Sequence, residues 1–231
     1  MIFSLTKEII FPPAEMAEEN GILAVGGDLS PKRLIAAYSQ GIFPWFSGDS
    51  PIIWWSPDPR FVIFPDEVKI SRTMRQVMRR GAFRITLDQR FSEVIGRCRK
   101  PRKDQDGTWI TDEMMEAYIR LHEMGLAHSV EAWQGETLAG GLYGISLGKS
   151  FFGESMFADV SNASKAAFIY LAEKLERLDF RFIDCQVHTD HLESLGACYI
   201  TRKNFMELLT EALGHETLIG HWGGRGEFSE I

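Results

Sequence analysis

The sequence predicts an α+β fold with a mixed sheet, and three observations carry that reading. Helix-period segments fill much of the first half, an antiparallel three-strand meander follows near residues 128–152, and a helix–strand–helix succession comes after it. Parallel neighbours need a crossover connection, so the helix after the meander places one parallel strand pair in the sheet. At 231 residues the chain can bury a full core. A division near residue 60 gives a small N-terminal α/β domain (1–60) and a larger C-terminal domain (61–231).

Residues 1–20 lack a period and include Pro12-Pro13, which predicts an extended lead-in. Gly26-Gly27-Asp28 lacks the spacing of a phosphate-binding loop and reads as a turn. Ser30-Pro31 starts a helix with Leu34, Ile35 and Tyr38 buried, and Gly41 ends it. The stretch 42–60 holds aromatics on a proline-stiffened, loop-like backbone, which favours a preformed surface. There Trp54-Trp55 reads as packing at a domain seam and Trp45 as a platform for stacking on a base. A strand at 60–64 precedes a helix capped by Ser71 and closed by Gly81, with Met74, Val77 and Met78 buried. Residues 82–87 alternate as a strand. Phe91, Val94, Ile95 and Cys98 mark the next helix, and Thr111 caps another with Met114, Tyr118 and Leu121 inside.

The meander takes 128–133, 138–145 and 150–152, with turns at Gly135 and Gly148. A loop, Gly153–Met156, carries Glu154. Ser161 or Asn162 caps a helix whose buried stripe is Ala167, Leu171, Leu175 and Leu178, and the strand 181–187 follows. The tail after Leu213 has no strong period and receives no assignment.

Apolar, charged and aromatic fractions are those of an ordinary soluble protein. No segment reaches membrane-spanning length, and the N-terminus lacks the pattern of a secretion signal, so the expected compartment is the cytoplasm. Cys98, Cys185 and Cys198 fit neither a disulfide framework nor a zinc site, and no metal is expected; Cys185, His188 and His191 lack a fourth ligand. Net charge is −7 overall but uneven. Residues 69–103 hold twelve basic and two acidic residues, a net of +10, which leaves −17 elsewhere. In the first helix of that arm Arg72, Arg75 and Arg79 form a ridge, with Arg80 beside it. A solvated face is the ordinary reading of such a ridge, and the near absence of acids is what favours a nucleic-acid backbone.

Along the strand 181–187, Phe182, Asp184 and Gln186 share one face while Ile183, Cys185 and Val187 share the other. A carboxylate beside an amide on a buried strand needs partners. From the strand alone, a structural hydrogen bond and a reactive pairing are both open. Glu154 leaves the preceding strand near the same rim if the intervening helix is a crossover, so two acids and an amide meet there.

The element order resembles the GNAT acyltransferase fold, in which a crossover helix links two strands that splay to open a cleft. Coenzyme A-dependent members carry (R/Q)xxGx(G/A) at the start of that helix. Here 154–161 has no glycine, which argues for a different acyl donor. GGDLSP (26–31), GIFPWF (41–46), WWSPDPR (54–60), GTWIT (107–111), GESMF (153–157), NASK (162–165) and IDCQV (183–187) together resemble the leucyl/phenylalanyl-tRNA-protein transferase family. The resemblance runs from about residue 20 to 205.

That resemblance implies an enzyme moving Leu or Phe from aminoacyl-tRNA to the α-amino group of proteins beginning with Arg or Lys, which marks them for degradation by the N-end rule. The ester is already activated, so neither metal nor cofactor is required. Asp184 is expected to meet the incoming amine and, with Gln186, to relay its proton; Glu154 would hold the cationic N-terminal residue or the ribose. Leu142, Phe151, Met156, Phe168 and Leu171 are expected to form an apolar pocket beside this face. A methylene there separates substrates by only about 1–3 kcal/mol, so Met would be accepted weakly. Trp45 and Trp109 would clamp the terminal adenine, and Arg72, Arg75, Arg79 and Arg80 would track the tRNA backbone. Two other readings stay in view: a transferase building peptidoglycan bridges, and a tRNA-binding module without catalysis.

Overall fold

The computed structural model describes residues 2–48, 50–100, 110–224 and 226–228. Strands β1 (Phe3–Leu5), β2 (Ile22–Gly26), β3 (Phe43–Pro44) and β4 (Ile53–Trp55) form a small sheet in the order β1-β2-β4-β3. Helix α1 (Pro31–Tyr38) begins where Ser30 accepts from the Arg33 amide. Gly41, at φ +70°, allows the exit, and a Cβ there would sit within 3 Å of Phe205 and Met206. The glycine turn works with the fully buried Arg33, whose guanidinium donates to the carbonyls of Thr6, Lys7 and Glu8 and to Asp28. The lead-in is thereby tied down rather than simply extended.

The larger sheet has seven strands. In chain order the elements are β5 (Arg60–Ile63), α2 (Arg72–Arg79), β6 (Arg84–Leu87), α3 (Phe91–Cys98), α4 (Asp112–Glu123), β7 (Ala127–Gln134), β8 (Thr137–Leu147) and β9 (Ser150–Ala158). They continue with α5 (Ala163–Arg177), β10 (Phe182–Gln186), α6 (Asp190–Glu193), β11 (Cys198–Ile200) and α7 (Arg202–Leu213). Strand order is β11-β5-β10-β9-β8-β7-β6. Strands β9 and β10 are parallel and joined by α5, as the crossover requires, while the other pairs are antiparallel. The fold is α+β with a mixed sheet.

One core cluster joins the small sheet, α1 and α4 to one face of the large sheet, and a second fills the space between the opposite face and α5. Phe152 belongs to the first and Phe151 to the second, as alternation along β9 demands.

Several local expectations need correction. The meander strands are longer than their apolar runs, and Glu154 lies inside β9 rather than in a loop. Asn162 precedes α5 but takes the left-handed conformation, φ +71°, and its side chain caps nothing; the short polar side chain tolerates that backbone. Val77 and Met78 are only half-buried. Two features near the C-terminus went unread in the sequence. Thr201 caps α7, and Trp222 is buried, stacked on His128 at 3.7 Å, with its amide donating to the Asp88 carboxylate.

Candidate active site

Two strands that start together and then part create the site. Strand β10 pairs with β9 from Phe182 opposite Ser150 to Asp184 opposite Phe152, and the pairing stops there. Each strand is irregular just at that point. Between β8 and β9 the register slips as Tyr143 faces Ser155 and Gly144 faces Gly153, which makes Glu154 the extra residue. Between β10 and β5 it slips at Cys185, and Gln186 turns to φ +63°. Such bulges re-aim a side chain at the cost of one ladder pairing.

The carboxylate of Glu154 is held from three directions. Tyr38 Oη donates to Oε1 at 2.7 Å, Tyr118 Oη donates to Oε2 at 2.7 Å, and Gln186 Nε2 donates to Oε1 at 2.8 Å. The two phenol oxygens are themselves 2.5 Å apart. The last residue of α1 and the middle of α4 thus converge on β9. Burial pushes the Glu154 carboxyl up to about 7; its three donors pull the other way, and the nearby Asp184 charge adds to the rise. Burial and the Glu154 charge also push both phenols well above their usual value, so they stay neutral donors.

Asp184 occupies a second layer. Its carboxylate accepts from Arg60 Nε at 2.9 Å and Nη2 at 2.6 Å, and from the Gln186 amide at 2.9 Å. The Arg60 guanidinium also donates to the Gly41 carbonyl and lies between the rings of Phe43 and Phe205. Asp184 is 0% exposed, whereas Glu154 and Gln186 each keep 8%. Asp184, expected at the amine, has its oxygens engaged by Arg60 and by the backbone of Gln186, while Glu154 and Gln186 form a slightly less buried polar pair beside it.

The other expected residues fall in several places. Leu142, Phe151, Phe168 and Leu171 are brought together with the partly exposed Met156, but in the cluster on the α5 face. The tyrosines belong to the cluster on the opposite face, so the apolar group does not surround the Glu154 carboxylate on the tyrosine side. Trp45 is 40% exposed and leans on Trp55, whose indole donates to the Trp45 carbonyl. Trp54 is fully buried, with its indole on the Gly26 carbonyl. Arg72, Arg75, Arg79 and Arg80 are all exposed on or beside α2. Trp109, Arg102 and Lys103 lie outside the described residues. Cys185 is buried and forms no cluster with His188; among the described residues, the one group with ligand-like spacing is His188, Asp190 and Glu193, all exposed.

Tyr38, Tyr118 and Arg60 are site residues that sequence reasoning missed. The tyrosines stood in buried helical stripes, where a phenol needs a partner, and that demand was the available signal. Arg60 closed the motif WWSPDPR and read as the opening of a strand.

An acid–amide pair thus lies between parting parallel strands on an α+β scaffold, backed by a buried ion pair. The sequence pattern of the family described as Leucyl/phenylalanyl-tRNA protein transferase matches residues 62–210, and that of its N-terminal domain matches 27–58. A Leucyl/phenylalanyl-tRNA--protein transferase of Syntrophus aciditrophicus is 56% identical over 99% of this chain and 96% of its own length. One from Anaeromyxobacter sp. (strain Fw109-5) is 54% identical over 96% of this chain and 94% of its own. The L-PGS structure from Bacillus licheniformis aligns at 10% identity and TM-score 0.41, over 84% of this chain and 73% of that one. The chain belongs to the leucyl/phenylalanyl-tRNA protein transferase family and is an aminoacyltransferase.

Proposed function

We propose that this chain transfers Leu or Phe, and Met weakly, from aminoacyl-tRNA to the α-amino group of proteins beginning with Arg or Lys, as a cytoplasmic step that marks them for degradation. The observation that carries the site assignment is Glu154, a buried carboxylate with a raised pKa, hydrogen-bonded to Gln186 where β9 parts from β10. The amine nitrogen attacks the ester carbonyl, a C–N bond forms, and the proton shed by nitrogen passes to Glu154. The C–O bond to the ribose then breaks, and the departing oxygen takes the proton back from Glu154. Gln186 steers the amine or the oxyanion, while Asp184 and Arg60 are positioning residues that hold Gln186 in its left-handed backbone conformation.

The larger sheet reads as GNAT-like, since the parting of β9 from β10 matches the splayed cleft of that fold. The apolar side chain of the donor is assigned to Leu142, Phe151, Met156, Phe168 and Leu171, which cluster on the α5 face. Trp45 offers its exposed ring to the terminal adenine, and Trp109 is assigned to the same clamp. Two experiments test this reading. An Arg-initiated peptide mixed with Leu- or Phe-charged tRNA should gain one residue at its N-terminus; binding without extension would reduce the protein to a tRNA-binding module. Neutralising Arg72, Arg75 and Arg79 together should weaken tRNA binding and flatten the plot of log affinity against log salt by roughly 0.9 for each phosphate no longer neutralised. An unchanged slope would move the tRNA track off α2.

A further inference from the structure

Tyr38, Tyr118 and Glu154 make three oxygen–oxygen contacts: 2.5 Å between the phenols, and 2.7 Å from each phenol to its own carboxylate oxygen. Each contact at hydrogen-bonding distance needs a proton. Each phenol supplies one, and an ionised carboxylate supplies none. With Glu154 ionised, two protons serve three contacts; both go to the carboxylate, and the phenol oxygens are left lone pair against lone pair. With Glu154 protonated, the count is three for three. The ring then closes head to tail: Glu154 donates to Tyr118, Tyr118 to Tyr38, and Tyr38 back to the other carboxylate oxygen.

We propose that Tyr38, Tyr118 and Glu154 form a proton store for the transfer reaction, a triangle that closes when Glu154 takes the proton of the attacking amine and reopens when the proton leaves with the ribose oxygen. The tyrosines are positioning residues, acting through Glu154. The inference rests on the role given to Glu154 above. The step balances without a further reactant, because the proton lost by nitrogen equals the one gained by the leaving oxygen.

The surroundings suit such a store. Beside the triangle stand Tyr143 on β8, whose buried hydroxyl has no protein partner among the described residues, and Cys98 on α3, which is near Tyr143. Asp184 and Gln186 face it from β10, and the nearby cation, Arg60 on β5, is committed to Asp184. Uptake of a proton at Glu154 therefore breaks no ion pair.

The test uses the full chain with Tyr38→Phe and Tyr118→Phe, which keep ring volume, checked by thermal unfolding. Either change costs protonated Glu154 two of the three contacts of the closed triangle and ionised Glu154 one of its two phenol donors, so its pKa should fall. The acid limb of kcat should move down by about one pH unit, so that each variant exceeds the parent roughly fivefold at pH 6 and matches it by pH 9. tRNA affinity and the KM for the acceptor peptide should hold. Infrared difference spectra across the same pH range should show a carboxylic-acid band in the parent, shifted in each Phe variant and absent from Glu154→Gln. An acid limb that moves up, as plain donors to an ionised carboxylate would give, or a rate change uniform across pH, overturns the store. If Glu154→Gln is itself fully active, the failure lies instead in the role assigned to Glu154.

Discussion

Replacing Asp184 with Asn is expected to destabilise the fold by about 3–5 kcal/mol and to depress transfer sharply even where the variant is folded. The stability loss follows from Arg60. Its guanidinium is buried at 1% exposure, and the ion pair with Asp184 compensates its charge. An amide cannot carry the negative charge, and its own N–H groups meet a donor, so the cation is left buried without compensation. Denaturant unfolding measures this. The transfer loss has a separate cause, because Asp184 also holds the Gln186 amide. The double variant Arg60→Met with Asp184→Leu separates the two effects: apolar replacement of a buried pair is often neutral, so stability should recover while transfer does not. Recovery of both would show that the pair serves only the fold. tRNA affinity should change little in either protein.

Replacing Glu154 with Gln should lower kcat by about 10²–10⁴, the usual contribution of a positioned general base, with tRNA affinity nearly intact. The substitution preserves shape but cannot accept a proton. The pH dependence gives the sign. Glu154 accepts a proton only when ionised, and its pKa is raised to about 7, so the parent rate falls as pH drops through that value. The residual rate of the variant should lose this limb. A kcat within a few-fold of the parent, or a loss arising wholly from weaker tRNA binding, would remove Glu154 from proton transfer and return the question to Gln186.

Much of the secondary structure is legible because its causes are local. Ser30, Ser71 and Thr111 accept from amides three residues ahead, as their positions before apolar stripes predict. The crossover of α5 is readable from spacing alone. Helix α7 went unread although its cause is local as well: Phe205, Leu209 and Ala212 lie on one buried stripe behind Thr201. The limits of β9 were harder to read, since a bulge at Glu154 interrupts the alternation that marks a strand. Trp222 gave no signal, because its partners are His128 and Asp88, far back in the chain.

By itself, then, the sequence determined the α+β class, the caps, the parallel strand pair, the basic arm, and the acid–amide–acid set of Asp184, Gln186 and Glu154. Only the tertiary structure decided which acid is locked to a buried arginine and which is held by neutral donors. Tyr38 lies 116 positions from Glu154, and Arg60 lies 124 from Asp184. A carboxylate's role is set by the donors and burial around it, and donors that far away along the chain leave no trace in the local pattern; they reach the site only when the sheets pack.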